Sequence, residues 1–293
     1  MASISGVITA MVTPFDKGGR LDTEAARRLA RHLAENGSHG LVLGGTTGEA
    51  PTLSDDEKLE LLGAVRAELS DALTLICGTG SNDTHHSVAL TRRAADAGAD
   101  AVLVVTPYYN KPNEAGLRAH FAAAAEAAGD TPVVLYNIPS RCVINLAPDL
   151  LAELARIDNV VAVKQANNED LAPIDGLDLL AGNDEIFLRC LELGGAGGIL
   201  VSSHVVGREM RQIYEAARGG EPDRARELNA SLQEVFEAMT VTSNPIPVKA
   251  ALEMLGVITA RARLPIVEAD EEQRATVRKA LERQGLLAAS PAG

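Results

Sequence analysis

Short apolar runs alternate along the chain with longer amphipathic stretches. The runs are Gly6 to Val12, Gly40 to Leu43, Leu73 to Cys77, Ala101 to Val105, Pro132 to Tyr136, Val160 to Val163, Leu177 to Leu180 and Gly198 to Val201. Nearly all are continuous rather than alternating, which is how a parallel strand buried on both faces reads. The stretches between them carry helix starts. Asp22 precedes a stretch reaching about Asn36, Ser54 precedes Asp55-Asp56-Glu57 as a capping box, and Asn82 or Asp83 opens a stretch to about Ala97, with Gly98 as its stop. Pro148 suits a first helical turn, and the alanine-rich stretch Ala122 to Ala128 is a good helix former.

Roughly eight strand-helix units in succession predict an α/β fold with a parallel sheet. A doubly wound open sheet is the alternative to a closed (β/α)8 TIM barrel. The placement of polar and glycine-rich clusters favours the barrel. They follow almost every run: Thr13-Pro14, Gly45 to Glu49, Gly78-Thr79-Gly80, Thr106 to Asn110, Tyr136 to Arg141, Lys164, Gly182-Asn183-Asp184 and Ser202-Ser203. A barrel gathers all of those strand ends on one face, the face that carries active sites. Beyond about Ala217 the strand signal stops. Residues Glu221 to Thr240, Pro247 to Leu255 and Asp270 to Leu287 read as helices. The expected division is a catalytic barrel over residues 1–220 and a C-terminal helical extension over 221–293.

The 293 residues suit such a barrel plus an extension. The net charge of −13 and the 3% aromatic content argue against nucleic acid and acidic membranes as partners. Cys77, Cys142 and Cys190 are odd in number and widely spaced, so buried reduced thiols of a cytoplasmic protein are expected. The start Met1-Ala2-Ser3-Ile4 shows no signal-peptide pattern, and no apolar run is long enough for a membrane span.

Lys164 ends the run Val160 to Val163. A lysine there points into the active-site face of a barrel, although a lysine snorkelling to the rim would read the same way. Schiff-base chemistry needs a neutral amine, and burial favours that form. Tyr108, Tyr109 and Tyr136 are three of only four tyrosines, and all fall at strand ends beside threonines, as a hydroxyl relay would require. Gly45-Thr46-Thr47-Gly48-Glu49 offers backbone N–H groups and two hydroxyls to a carboxylate or phosphate, without the lysine of a P-loop. Arg141 can hold a carboxylate in a bidentate fork. The six histidines show no metal-ligand spacing at strand ends, so no metal is expected.

Five segments in order carry a resemblance over nearly the whole chain, Gly6 to Leu287. They are Gly45 to Glu49, Thr106 to Pro112, Tyr136 to Arg141, Val163-Lys164 and Asn244 to Lys249. Together they resemble the dihydrodipicolinate synthase and N-acetylneuraminate lyase superfamily, and within it the dihydrodipicolinate synthase branch. The resemblance implies condensation of pyruvate with L-aspartate 4-semialdehyde to give 4-hydroxy-tetrahydrodipicolinate, the entry step of diaminopimelate and lysine biosynthesis. It implies no cofactor. By motif, Lys164 is the imine-forming nucleophile, and Thr46, Tyr109 and Tyr136 form the proton relay, Tyr109 reaching in from a neighbouring subunit. Thr47 holds the pyruvate carboxylate, Arg141 holds that of the aldehyde, and Gly182 and Ile199 line the pocket. The implied assembly is a homotetramer, a dimer of tight dimers.

Two departures stand out. After the lysine the family usually shows an acidic residue, Ala and a Thr/Ser-Gly pair, where this chain has Gln165-Ala166-Asn167-Asn168, and the stretch to Gly182 looks shortened. At the positions where some members bind lysine, this chain has Asp55, Lys58 and His86 beside retained Asn82 and Tyr108, so weak or absent lysine inhibition is expected. A sister pyruvate aldolase acting on sialic acid, a 2-keto-3-deoxy sugar acid or 4-hydroxy-2-oxoglutarate is the alternative. The Thr at position 46 and Arg141 favour the synthase. A barrel kept only as a scaffold is the reading from a different class.

Overall fold

The computed structural model describes residues 4–288. Residues 1–3, which hold most of the start read for a signal peptide, and residues 289–293 of the predicted extension lie outside the described residues. Eight parallel strands close into a barrel in sequence order. They are β1 (Gly6–Ala10), β2 (Gly40–Leu43), β3 (Thr74–Gly78), β4 (Ala101–Val105), β5 (Val133–Asn137), β6 (Val160–Gln165), β7 (Asp178–Ala181) and β8 (Gly197–Leu200). β1 and β8 close the ring, with Ile8 beside Ile199. At this seam a side chain on Gly197 would lie 2.1 Å from the Gly6 carbonyl oxygen, so only glycine lets the strands meet.

The continuous apolar runs are explained by two cores. One face of the strands fills the barrel interior with Ile8, Val42, Ile76, Leu103, Val134, Ala162, Leu180 and Ile199. The other face, including Leu41, Leu75, Val102, Leu135, Val163 and Leu200, packs on the surrounding helices. With both faces dry, alternation has nothing to report. β1 is shorter than its apolar run because the Val12 N–H donates to His204 Nε2 (3.1 Å) instead of a neighbouring strand.

The helices follow their sequence signals. α1 (Thr23–Glu35) is capped by Asp22, and α2 (Asp55–Leu69) by Ser54 in a complete capping box with Glu57. α3 (Thr84–Asp96) is capped by Asp83 and α4 (Glu114–Ala128) by Asn113. The short α5 (Pro139–Cys142) occupies the loop after β5, followed by α6 (Pro148–Leu154), α7 (Phe187–Glu192) and α8 (Ser203–Arg218). Beyond α8 lie α9 (Pro222–Ser231), α10 (Gln233–Ala238), α11 (Ile246–Met254) and α12 (Glu271–Arg283), with no further strand among the described residues. The single stretch expected over Glu221 to Thr240 is two helices, with Leu232 buried at the break between them. Ala225, Phe236, Val248, Leu252, Val277 and Leu281 join the same hydrophobic core as the barrel helices. No helix among the described residues is long and apolar enough to cross a membrane.

Candidate active site

β6 carries Lys164 one residue before its end, and β5 carries Tyr136 in register beside it. Both side chains are buried, at 5% and 4% exposure. The Lys164 amine sits 4.2 Å from the centre of the Tyr136 ring. Tyr136 itself packs into the barrel interior. No hydrogen bond or ion pair is formed by Lys164 among the described residues. A primary amine is therefore held in a barrel mouth against an aromatic ring, with nothing occupying its lone pair or its protons.

The loop after β2 supplies Thr46, half-buried, and Thr47, buried. Thr47 Oγ1 accepts a hydrogen bond of 2.9 Å from Asn244 Nδ2, and the Asn244 carbonyl accepts one of 3.4 Å from Arg141 Nη2. Residues from the loop after β2, from α5 and from the segment before α11 thus meet at one place. Arg141 is otherwise exposed, and its planar fork is free to take an anion. The end of the same loop is fixed from below. Glu49, in a left-handed backbone conformation (φ 58), pairs with Lys249, and both side chains are 1% exposed. Lys249 also donates to the Arg261 carbonyl (2.6 Å), and the Arg263 N–H donates to the second Glu49 oxygen (2.9 Å). Burial lowers the Lys249 amine below the usual lysine range, against the pull of Glu49. Arg263 forks onto Glu57 (2.8 and 2.5 Å), and this holds the Glu57 carboxyl down to about 2.

Beyond Lys164 the departing segment is braced by amides. Asn137 Nδ2 donates to Gln165 Oε1 (2.9 Å) and Asn145 Oδ1 (2.7 Å). Asn145 and Asn167 both donate to one oxygen of Asp170 (2.5 and 3.0 Å), and Asn183 Nδ2 donates to Asn168 Oδ1 (2.8 Å). The amides at 165, 167 and 168 thus tie down the segment that follows the lysine. Gly182 closes against it. A side chain there would lie 2.7 Å from Ala166 Cβ and 2.8 Å from Ala166 N. Ile199 is fully buried in the barrel interior. Asp184 is buried and accepts from Ser202 Oγ (2.7 Å) and the N–H groups of Val201 and Ser202 (both 2.9 Å). Burial raises its carboxyl above the usual range, while those donors hold it down.

Tyr109 stands apart. It is 88% exposed at a left-handed backbone position (φ 71), and the structure does not bring it to Lys164. Glu49, Tyr109, Lys111 and Val143, four of the five non-glycine residues with positive φ among the described residues, lie in loops at this end of the barrel. Local strain of that kind persists only where surrounding contacts over-determine it. Tyr108 is half-buried, and burial raises its hydroxyl above the usual range. Nearby, His86 Nε2 bonds Asp55 (2.8 Å), and Lys58 is buried, its amine lowered by desolvation.

Sequence reasoning did not assign roles to Asn244, Glu49, Lys249 or the Asn137–Gln165 pair. The motif Asn244 to Lys249 signalled only that its segment matters. Partners up to 214 residues away give no local signal of their contact.

The dihydrodipicolinate synthetase family model matches residues 3–284. The chain is 42% identical over 295 aligned positions to 4-hydroxy-tetrahydrodipicolinate synthase of a Cyanothece strain, covering 98% of this chain and 100% of that one. It is 45% identical to the enzyme of that name from Desulforudis audaxviator, covering 96% and 98%. The lysine-bound crystal structure of dihydrodipicolinate synthase from Cyanidioschyzon merolae superposes with a TM-score of 0.93 at 40% identity, covering 97% of this chain and 99% of that one. With a closed eightfold barrel and a match over nearly its full length, the chain belongs to the dihydrodipicolinate synthetase family.

Proposed function

We propose that this protein is a 4-hydroxy-tetrahydrodipicolinate synthase, condensing pyruvate with L-aspartate 4-semialdehyde in lysine and diaminopimelate biosynthesis. The observation that carries the chemistry is the unpaired, buried Lys164 amine beside Tyr136. Its lone pair attacks the pyruvate C2 carbonyl, and loss of water leaves an imine. The imine then sheds a C3 proton to give an enamine, and C3 attacks the aldehyde carbon. The amino group of the joined aldehyde substrate then attacks the imine carbon, closing the ring as the bond to Lys164 breaks and its amine is returned. Each step moves protons, for which the hydroxyls of Tyr136, Thr46 and Tyr109 are the relay.

Two carboxylates need two holders. Thr47 is the hydroxyl for pyruvate, and Arg141 is the fork for the aldehyde substrate, with Gly182 and Ile199 on the pocket wall. Tyr109 reaches the site of a neighbouring protomer, in keeping with its exposure here, and the assembly is a homotetramer built as a dimer of tight dimers. Three buried free cysteines suit a cytoplasmic enzyme. Because Asp55 is bonded to His86 and the Lys58 side chain lies buried on the same helix, an incoming lysine finds no free carboxylate there, and feedback inhibition is weak or absent.

Borohydride trapping with pyruvate tests the reading. A reduced pyruvyl adduct on Lys164 is expected, and no adduct, or one on Lys111 or Lys249, would overturn it. Arg141→Ala then tests the second substrate, with an expected loss on aspartate semialdehyde of about a hundredfold or more. Half-maximal inhibition by submillimolar L-lysine would contradict the regulatory part.

A further inference from the structure

Thr47 and Asn244 are linked by one hydrogen bond whose direction has a chemical consequence. A hydroxyl has one proton and two lone pairs. Thr47 Oγ1 accepts from Asn244 Nδ2 at 2.9 Å, and its own proton finds no acceptor among the described residues. We infer that the Asn244 side-chain amide is a positioning residue that fixes the Thr47 hydroxyl as a donor toward the carboxylate of the first substrate. This rests on the pyruvate reading above.

Three features support the assignment. The Asn244 Oδ1 atom is buried without a partner, so among the described residues Thr47 is the only side chain that orients the amide. The Asn244 carbonyl, not its side chain, accepts from Arg141. The backbone thus serves the arginine while the side chain serves the threonine, and the two arms of the site can be separated by substitution. Asn244 is also held in place independently of Thr47. Lys249 in α11 is locked to Glu49, two residues beyond Thr47, and the Arg263 N–H closes on the same carboxylate. Removing the amide leaves this clamp intact.

The polarity of the bond gives a test that packing alone does not. Asn244→Asp preserves shape, but a carboxylate can only accept. It would draw the Thr47 proton toward itself and place a negative charge beside the substrate's. Asn244→Ala removes the partner without reversing it. The readout is the pyruvate concentration giving half-maximal borohydride trapping on Lys164, with a thermal melt of each variant alongside. Expected increases are about fivefold for Asn244→Ala and about thirtyfold or more for Asn244→Asp. On a Thr47→Val background, Asn244→Ala is expected to add less than about twofold, because the shared bond is already gone. Aspartate tolerated as well as or better than alanine would overturn the inference. So would full additivity with Thr47→Val, which decides the matter even if the aspartate variant does not fold. An unsubstituted protein that forms no adduct would refute the pyruvate reading and this inference with it.

Discussion

Lys164 and Lys249 are both buried near the same end of the barrel, at 5% and 1% exposure, and each lies over an aromatic ring. Their surroundings differ in one respect. Lys249 has Glu49 and the Arg261 carbonyl as partners, whereas Lys164 has no hydrogen bond or ion pair among the described residues. A paired amine has its protons committed and cannot serve as a nucleophile without breaking the pair. A bare amine has neither its protons nor its lone pair committed to a protein partner. Burial therefore does not distinguish a reactive lysine from a structural one. Pairing does. The clamp around Lys249 also fixes the end of the loop that carries Thr46 and Thr47.

The sharpest contrast comes from removing each amine. Lys164→Met is expected to abolish trapping and lower turnover by about a thousandfold or more, with a melting temperature unchanged or raised. Lys249→Met is expected to cost about 3–5 kcal/mol of stability, because Glu49 is left buried and charged. A Lys164→Met variant that melts as early as Lys249→Met would end the distinction.

Adding Glu49→Gln to Lys249→Met is expected to recover at least about half of that loss, since the uncompensated charge is gone and the amide oxygen can still accept from the Arg263 N–H. Stability in denaturant measures both variants.

The smallest expected effect concerns the outer part of the clamp. Arg263 holds the Glu57 carboxyl down from 4.5 to about 2. A depressed carboxylate stabilises the fold above its unfolded value and loses that contribution as pH falls through its folded value. Glu57→Gln is expected to lower stability at neutral pH by about 1 kcal/mol after solvent screening, with the difference from the parent protein vanishing between pH 4.5 and about 2. A difference that persists below that window would assign the effect to packing.

The strands were legible because a parallel sheet buries both faces, which leaves continuous runs such as Ala101 to Val105. The caps at Asp22 and Ser54 were legible because capping is local chemistry, and Asp83 is the one of the two candidates, Asn82 or Asp83, that caps its helix. Lys164, Tyr136, Thr46 and Thr47 could be picked out because polar residues after apolar strands gather at one face of a barrel. The structure brings Lys164 to Tyr136, and Thr47 to Arg141 through Asn244. It leaves Tyr109 outside the single protomer's site. The break at Leu232 was not legible, since helical periodicity runs on through it.

By itself, then, the sequence determined the order of strands and helices, the location of the polar strand ends and the candidate reactive groups. Each of these depends on residues near one another in the chain, through periodicity, capping and burial. Only the tertiary structure decided which lysine is paired and which is bare, that Asn244 bridges the loop after β2 to Arg141, and that the amides after Lys164 brace one another. Those outcomes depend on contacts between residues as far apart as Glu49 and Lys249, and no local pattern encodes such a distance.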